Sequence, residues 1–598
     1  MKKNLIVVLA AIFAISTLSA QVSTDPADEF YDLVERWEIM GIISEQPPLR
    51  PYPLKRVEAI LSEVIEGDNE AQAEIASDYY ERTFRRSYKL LSEAIGNFRA
   101  GDSNGDGDFD KDKQILLGGG VVGDYEFPQI VTAGYSLNLY ASTADDLKSV
   151  PLYTAQPYYF HDSINIKKFR TYWIMDANFA GGNENIYGQM GVNHISFGPF
   201  YKNSAVISPD ASHTANFSFV YAGDRLSYTH ALVGLSASTA KADTDLFSKK
   251  FLVVHSLNGQ IFPWLTASFY ESTIYGDRFE PAYLIPMPFI ITQGLAGFDD
   301  NTFMGLSFTV RPVPGFVWVN DLYVDDMGLA DLLKLDFDTK LRGTFQSAFK
   351  YSPAEISWLD KAELRYTLVS PYMYTHKQNV VDLATGGWAL GSTGAVNYQD
   401  YTTDAKSLGL SLPPNTEQVA LSVSFTPVNK LKLTARGAYT RHCNVNESLP
   451  EDEAIAYLNS PVGYLTTDGG IHNHQHYLKD GNPNYRGDTY LSSAWNHFLF
   501  MTQETKMQTF HAGFDVDYTL ATSNYGVLTL DFGYTFEHIK NAGVDREIFK
   551  GTGTYDSNGD YISPNKTAAD VAAALEAWRS ALYDKTNHYI RFGLKFIW

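Results

Sequence analysis

From about Ile115 to the last residue, apolar and polar side chains alternate with a period of two, and this pattern constrains the chain more than any other. MGLSFTVRP puts Met304, Leu306, Phe308 and Val310 on one face and Gly305, Ser307, Thr309 and Arg311 on the other. VALSVSFTPVNKLKLTARGAY does so twice: Val419, Leu421, Val423 and Phe425 lead into a Pro-Val-Asn-Lys turn, and Leu431, Leu433 and Ala435 lead out of it. FDVDYTLATSNYGVLTLDFGYTFEH reads as a further hairpin. A strand turns successive side chains to opposite faces, so each stretch predicts a β-strand with one apolar face.

Alternation alone also suits a water-soluble sandwich. A sandwich buries its apolar face in a core two sheets thick, whereas here strand pairs recur to the end of the chain. Short Pro/Asn/Gly turns alternate with long polar loops, which is the layout of a transmembrane barrel. Composition agrees: 14% of residues are aromatic, with 39 Tyr and 36 Phe, yet mean hydropathy is −0.21. The expected fold is mainly β, a transmembrane antiparallel β-barrel of roughly 16–18 strands over residues 114–598. The final strand, HYIRFGLKFIW, alternates Ile590, Phe592, Leu594 and Phe596 and ends on Trp598. A terminal aromatic on such a strand resembles the signal read by the barrel-assembly machinery of bacterial outer membranes, which makes that machinery an expected partner.

Export is expected from the N-terminus. Lys2 and Lys3 precede an apolar run and small polar residues in MKKNLIVVLAAIFAISTLSA, the layout of a signal peptide over residues 1–20. No later stretch is long and apolar enough for a membrane-spanning helix. The single cysteine, Cys443, cannot form an intrachain disulfide, so stability must come from a large core or a closed sheet. The formal charge of −22 becomes −24 without Lys2 and Lys3, which argues against nucleic acid as a partner.

Residues 25–100 read as a small three-helix periplasmic domain. Phe30, Leu33, Val34 and Trp37 recur at three-to-four spacing, as do Leu54, Val57, Ile60 and Leu61. A third helix is predicted from Ala71 to about Phe98. The core of this region, LVERWEIMGIISEQPPLRPYPLKRVEAIL, resembles the start of capsule-assembly Wzi-type outer-membrane proteins through Gly41, Ile42, Pro51, Tyr52, Arg56 and Glu58. That resemblance implies a periplasmic helical bundle, a barrel of about 18 strands, and a role in holding or displaying surface polysaccharide. The same residues resemble a single surface-layer-homology repeat, which implies binding of a cell-wall polymer such as peptidoglycan. Here Lys55 replaces that repeat's Thr, and its Asp-Gly-Thr-Phe turn is missing.

Three groups of side chains are candidate sites. GDSNGDGDFDKDKQ offers Asp102, Asn104, Asp106, Asp108, Asp110 and Asp112, and the first three lie in register with a calcium loop whose Gly107 makes the turn. Lys113 stands where a bidentate Glu belongs, and no second helix follows, so an EF-hand is not expected. The expectation is one structural Ca²⁺ in a linker over residues 101–113, clamping the helical domain to the barrel. HNHQH places His472, His474 and His476 on one face if extended, a pattern that suits Zn²⁺ or Cu²⁺. The polar faces of the strands assign Lys432, Arg436, Asp515, Asp517, Asp531 and Glu537 to the lumen. G-x-S-x-G, H-E-x-x-H and phosphate-loop motifs are all missing. The resulting expectation is a non-enzymatic barrel in outer-membrane lipid that binds surface polysaccharide, with a porin for hydrophilic solutes as the alternative. A porin tethered to peptidoglycan through its helices is a further one.

Overall fold

The computed structural model describes residues 23–598 apart from 85–87, 103–104, 106, 128–130, 144–149, 155–163, 167–168, 240–245, 290–299, 337–338, 355–357, 376–379, 383–394, 405, 429, 460–496, 524–525 and 559–560. The signal-peptide segment, Asn104, Asp106, His472, His474 and His476 lie outside the described residues.

Eighteen strands close into one antiparallel barrel. They are β1 Lys89–Asp102, β2 Phe109–Phe127, β3 Val131–Ser142, β4 Phe169–Gly182, β5 Ile186–Asn193, β6 Thr214–Ala222, β7 Leu226–Thr239, β8 Leu246–Phe262 and β9 Leu265–Gly276. The second half comprises β10 Asn301–Val313, β11 Phe316–Met327, β12 Leu341–Tyr351, β13 Leu359–Val369, β14 Thr416–Val428, β15 Leu431–Cys443, β16 Lys506–Ser523, β17 Gly526–Ala542 and β18 Tyr583–Ile597. Closure is made by β18 against β1, from Leu91 opposite Ile597 to Gly101 opposite Asn587. Trp598 adds to that seam by donating its backbone N–H to Leu90 O at 2.9 Å. Among the described barrel strands no free edge remains, which removes the usual template for aggregation.

The alternation sorts side chains as the pleat requires. Phe514, Tyr518, Phe592 and Leu594 are exposed on the outside, as are Trp173, Met175 and Phe217. Junctions such as Ala222 to Leu226 and Val313 to Phe316 are short and lie at one end, whereas those at the other end run as long as Val369 to Thr416. Part of the interior is a packed core. The connection from β5 to β6 and part of that from β13 to β14 fold inward, where Phe197, Val206, Tyr374 and Leu408 pack with Tyr270 and Tyr323 of the wall.

Three helices precede the barrel: α1 Glu29–Met40, α2 Leu54–Ile65 and α3 Glu70–Phe84. Their shared core is Phe30, Trp37, Val57, Ile60, Leu61 and Tyr79. The bundle lies across the short-turn end. Gly315 of the β10–β11 turn donates its N–H to Ile39 O at 3.0 Å, and Lys55 meets Glu126 at 3.6 Å.

Two boundaries differ from the sequence expectation. The third helix stops at Phe84, and Lys89–Asp102 is a strand, so the helical region does not extend to residue 100. In KLLSEAIGNFRAGD, Leu91, Ile95 and Phe98 fit helical spacing as well as any strand pattern. The deciding partner is β18, at the far end of the chain, and a local period does not register it. The Asp-rich segment is accordingly not a linker between helices and barrel. Asp102 ends β1 and Phe109 begins β2, so the segment is a hairpin turn at the end opposite the helices. A clamp on the angle between two domains is ruled out by that position.

Candidate functional site

Above the helices, the lumen holds a cavity of about 1100 Å³. Its floor is α1, which presents Asp32, Glu35 and Arg36. These lie within one helical turn and a step, so they share a face. The wall comes from strands whose inward residues are charged or small: Lys361, Glu363 and Arg365 on β13, and Ala420, Ser422 and Ser424 on β14. Residues 150–154 descend from the long-loop end to complete it.

Charge in this cavity is organised as ion pairs. Lys350 Nζ donates to Glu35 Oε1 at 2.7 Å, and Lys361 donates to the other oxygen of the same carboxylate. Burial alone would raise the pKa of Glu35, but the two lysines outweigh it and hold the carboxyl well below its usual range. Arg36 meets Asp360 at 3.4 Å, and Arg365 donates to Glu363 at 2.9 Å. Lys202 Nζ donates to Asp32 at 2.5 Å. Glu35 and Arg36 thus bind α1 to the wall by charge and Asp32 binds it to the in-folded β5–β6 connection, next to an apolar contact of Ile39 with Phe200, Val317, Val319 and Ala348.

The lumen candidates fall into three groups. Lys432, Arg436 and Asp515 line the cavity, with Arg436 donating to Asp515 at 2.7 Å. Asp517 lies opposite Lys432 in the β15–β16 register, and Asp531 meets Arg591, itself a lining residue, at 3.2 Å. Glu537 is buried and serves as a rivet. Its Oε2 accepts from Leu152 N at 2.6 Å and contacts His511 Nε2 at 2.8 Å, and its Oε1 accepts from Asn587 Nδ2 at 2.7 Å.

The helical motif residues hold the bundle together and to the barrel. Gly41 takes the left-handed conformation (φ 76°) that ends α1, and the following Ile42 N–H returns to Trp37 O at 2.9 Å. Pro51 O accepts from Gln189 of β5 at 3.2 Å. Tyr52 is buried and donates its hydroxyl to Pro47 O at 2.7 Å. Arg56 reaches Gln46 Oε1 at 2.6 Å and the β4–β5 turn at Glu184 O at 3.3 Å. Glu58 accepts from Tyr80 at 3.0 Å.

In the Asp-rich turn, Asp102 accepts Gly105 N–H at 2.6 Å with one oxygen and Gly107 N–H at 3.0 Å with the other. The carboxylate therefore closes the turn itself. Asp108 and Asp110 are exposed, and Asp112 is partly buried on β2. Among the described residues no group of three or more His, Cys, Asp or Glu is placed to hold a metal ion.

Sequence reasoning missed Glu35, Arg36, Lys350 and the Lys361–Glu363–Arg365 run. The last was readable, since LDKAELRYTLV carries charge at alternate positions. Glu35 and Lys350 were not, because neither segment indicates that the other will face it.

No protein-family model and no curated protein matches the chain. Among solved structures, the chain is similar to Wzi of Escherichia coli, described as an outer-membrane, carbohydrate-binding β-barrel involved in group 1 capsule assembly: 11% identity, 97% of this chain and 99% of that one, TM-score 0.47. It is also similar to OccK8 (OprE) of Pseudomonas aeruginosa, at 9% identity over 85% of this chain and 98% of that one, TM-score 0.36. OccAB2 of Acinetobacter baumannii gives 12%, 86%, 98% and 0.37 respectively.

Proposed function

We propose that this protein is a non-enzymatic outer-membrane β-barrel, closed at its short-turn end by its own N-terminal helices, whose lumenal cavity holds part of a surface polysaccharide. The cavity carries this reading: it is large, studded with charged side chains, and floored by α1, which is ion-paired to the wall. Sugar hydroxyls both donate and accept, so paired carboxylates and cations offer them partners of either kind. Tyr153 and Tyr589 on the same lining supply rings for stacking. The exposed apolar belt would sit in lipid, with the short turns and helices periplasmic and the long loops outside. Trp598 would be the contact for the barrel-assembly machinery.

The porin alternative suffers from the same floor that favours glycan binding. Tethering to peptidoglycan is disfavoured because Tyr52 and Arg56 are already used in packing and docking. One Ca²⁺ at the Asp-rich turn is proposed only in a narrower role, stiffening the β1–β2 hairpin. It would have to compete with the two amides that Asp102 already accepts.

Planar-bilayer recording of the purified protein, combined with titration of acidic and neutral oligosaccharides, tests the main reading. The expected outcome is little current, with saturable oligosaccharide binding that weakens at least tenfold in Arg436→Ala/Arg365→Ala. Steady, wide, sugar-permeable channels would establish the porin instead.

A further inference from the structure

Two smaller cavities continue the main one toward the short-turn end. One of about 60 Å³ lies between α1 with the segment after it and the inner faces of β8–β11; the next, about 230 Å³, opens beside the Gly223–Leu226 turn. The three are in series and share walls. Glu35, Tyr201 and Lys350 line both the first and the second. Glu45, Gln46, Asn258 and Arg311 line both the second and the third.

Each shared neck is crossed by an ion pair. The inner one is Lys350 with Glu35 at 2.7 Å, and the outer is Arg311 Nη2 with Glu45 Oε2 at 2.9 Å. Their environments differ. Side chains of the inner pair are 4% and 10% exposed, those of the outer pair 18% and 25%. The outer pair is the less buried of the two and is held by less free energy, so the outer neck is the easier to open.

The middle cavity has polar groups and room for water. Ser256, Ser268, Ser307 and Thr309 turn hydroxyls toward it from three strands. Ser256 Oγ and Arg50 Nε are buried there and have no protein partner. Buried groups of this kind are satisfied by internal water, and about 60 Å³ has room for roughly four to six water-sized spheres at 10–15 Å³ each. Ile39, Val317 and Val319 of the apolar contact line the same cavity, so its wall is polar on the β8–β10 side and apolar toward β11.

We propose that these cavities form a continuous hydrated seam between plug and wall, passing water and small monovalent ions but not sugars, with Glu45–Arg311 as its gate at the short-turn end. The inference rests on the plugged-barrel reading above. It also gives that reading a needed outlet. A glycan entering a cavity that is closed below must displace water, and the seam lets that water leave on the side away from the ligand.

Full-length protein in planar bilayers with potassium chloride tests the seam. Arg311→Ala, and independently Glu45→Gln, which keeps the shape and removes the charge, are expected to raise potassium conductance several-fold. Liposomes carrying either variant should still not swell in arabinose. Adding Ser307→Cys to Arg311→Ala should make the current sensitive to silver ion, which is close to potassium in size. The Arg311→Ala parent is the control, since the native Cys443 is buried outside the seam. Unchanged current in both variants, with the barrel folded by heat-modified gel mobility, would overturn the seam. So would a rise that silver leaves untouched, or one accompanied by arabinose entry, which would mean that the plug had loosened. In each case a wild-type barrel that stays closed to sugars leaves the plugged reading intact; sugar entry through wild type would defeat that reading itself.

Discussion

Two glutamates on one helix illustrate how burial and partners set opposite behaviour. Glu35 faces two lysines and stays ionised; Glu38, one turn on, is half-buried with its carboxylate accepting from Gln46 N at 2.7 Å, and desolvation pushes its pKa up to about 7. Arg50 and Arg311 facing Glu38 pull it down, and Glu45 pushes it up, but burial dominates. A carboxyl whose folded pKa is raised contributes stability that is complete below its unfolded value near 4.5 and is lost as pH rises through about 7. The plug should therefore seat less firmly at pH 8 than at pH 5, by about 3 kcal/mol at most, and Glu38→Gln should flatten that dependence. Protease sensitivity of residues 25–84 across the pH range would measure it; an unchanged slope in the variant would contradict the assignment. Glu35→Ala leaves Lys350 and Lys361 without their shared carboxylate in a buried site, a loss of about 3–5 kcal/mol. The expected readout is release of the plug at lower denaturant with the barrel transition unmoved. Neither glutamate stands out in the sequence, where both read as polar positions on an amphipathic helix. What separates them is which wall residue each meets.

At the scale of elements, the strands were legible and the junctions were not. The alternation of Phe514, Val516 and Tyr518 against Asp515 and Asp517 is a local property, so their faces could be assigned from sequence. Lys89–Asp102 could not, because its spacing suits a helix and its partner β18 lies at the opposite end of the chain. The distinction has a practical outcome. A truncation of residues 25–84 keeps β1 whole and should give a folded, heat-modifiable barrel with much greater conductance. One that extends to residue 98 removes most of β1, leaves β18 and β2 as open edges, and should not assemble. The same hairpin tests the calcium proposal. A melting temperature that rises by a few degrees in millimolar Ca²⁺ over chelator supports a bound ion, and no change removes it, since Asp102 already satisfies the turn amides without one.

For the whole molecule, a β-barrel follows from chemistry that is local to each strand. One residue in two is apolar and one in two polar over some eighteen segments, and the only arrangement that gives every strand two partners while sorting those faces is a closed ring. Sequence by itself determined this much: a barrel, its outward and inward faces, and a helical segment before it. Whether that barrel is open was decided only by tertiary structure. Helices α1–α3, the β5–β6 connection and part of the β13–β14 connection could each have stayed outside as separate modules on sequence grounds; instead the helices close the short-turn end and the connections fold into part of the lumen. The physical reason is that the lumen floor is held by pairs such as Glu35–Lys350, Arg36–Asp360 and Arg311–Glu45, whose members are some 260 to 325 residues apart. Periodicity informs about a residue's neighbours along its own element, and a charge pair across a closed barrel has no period. The cavity, its plugged floor and the hydrated seam beneath it are properties of those distant pairings.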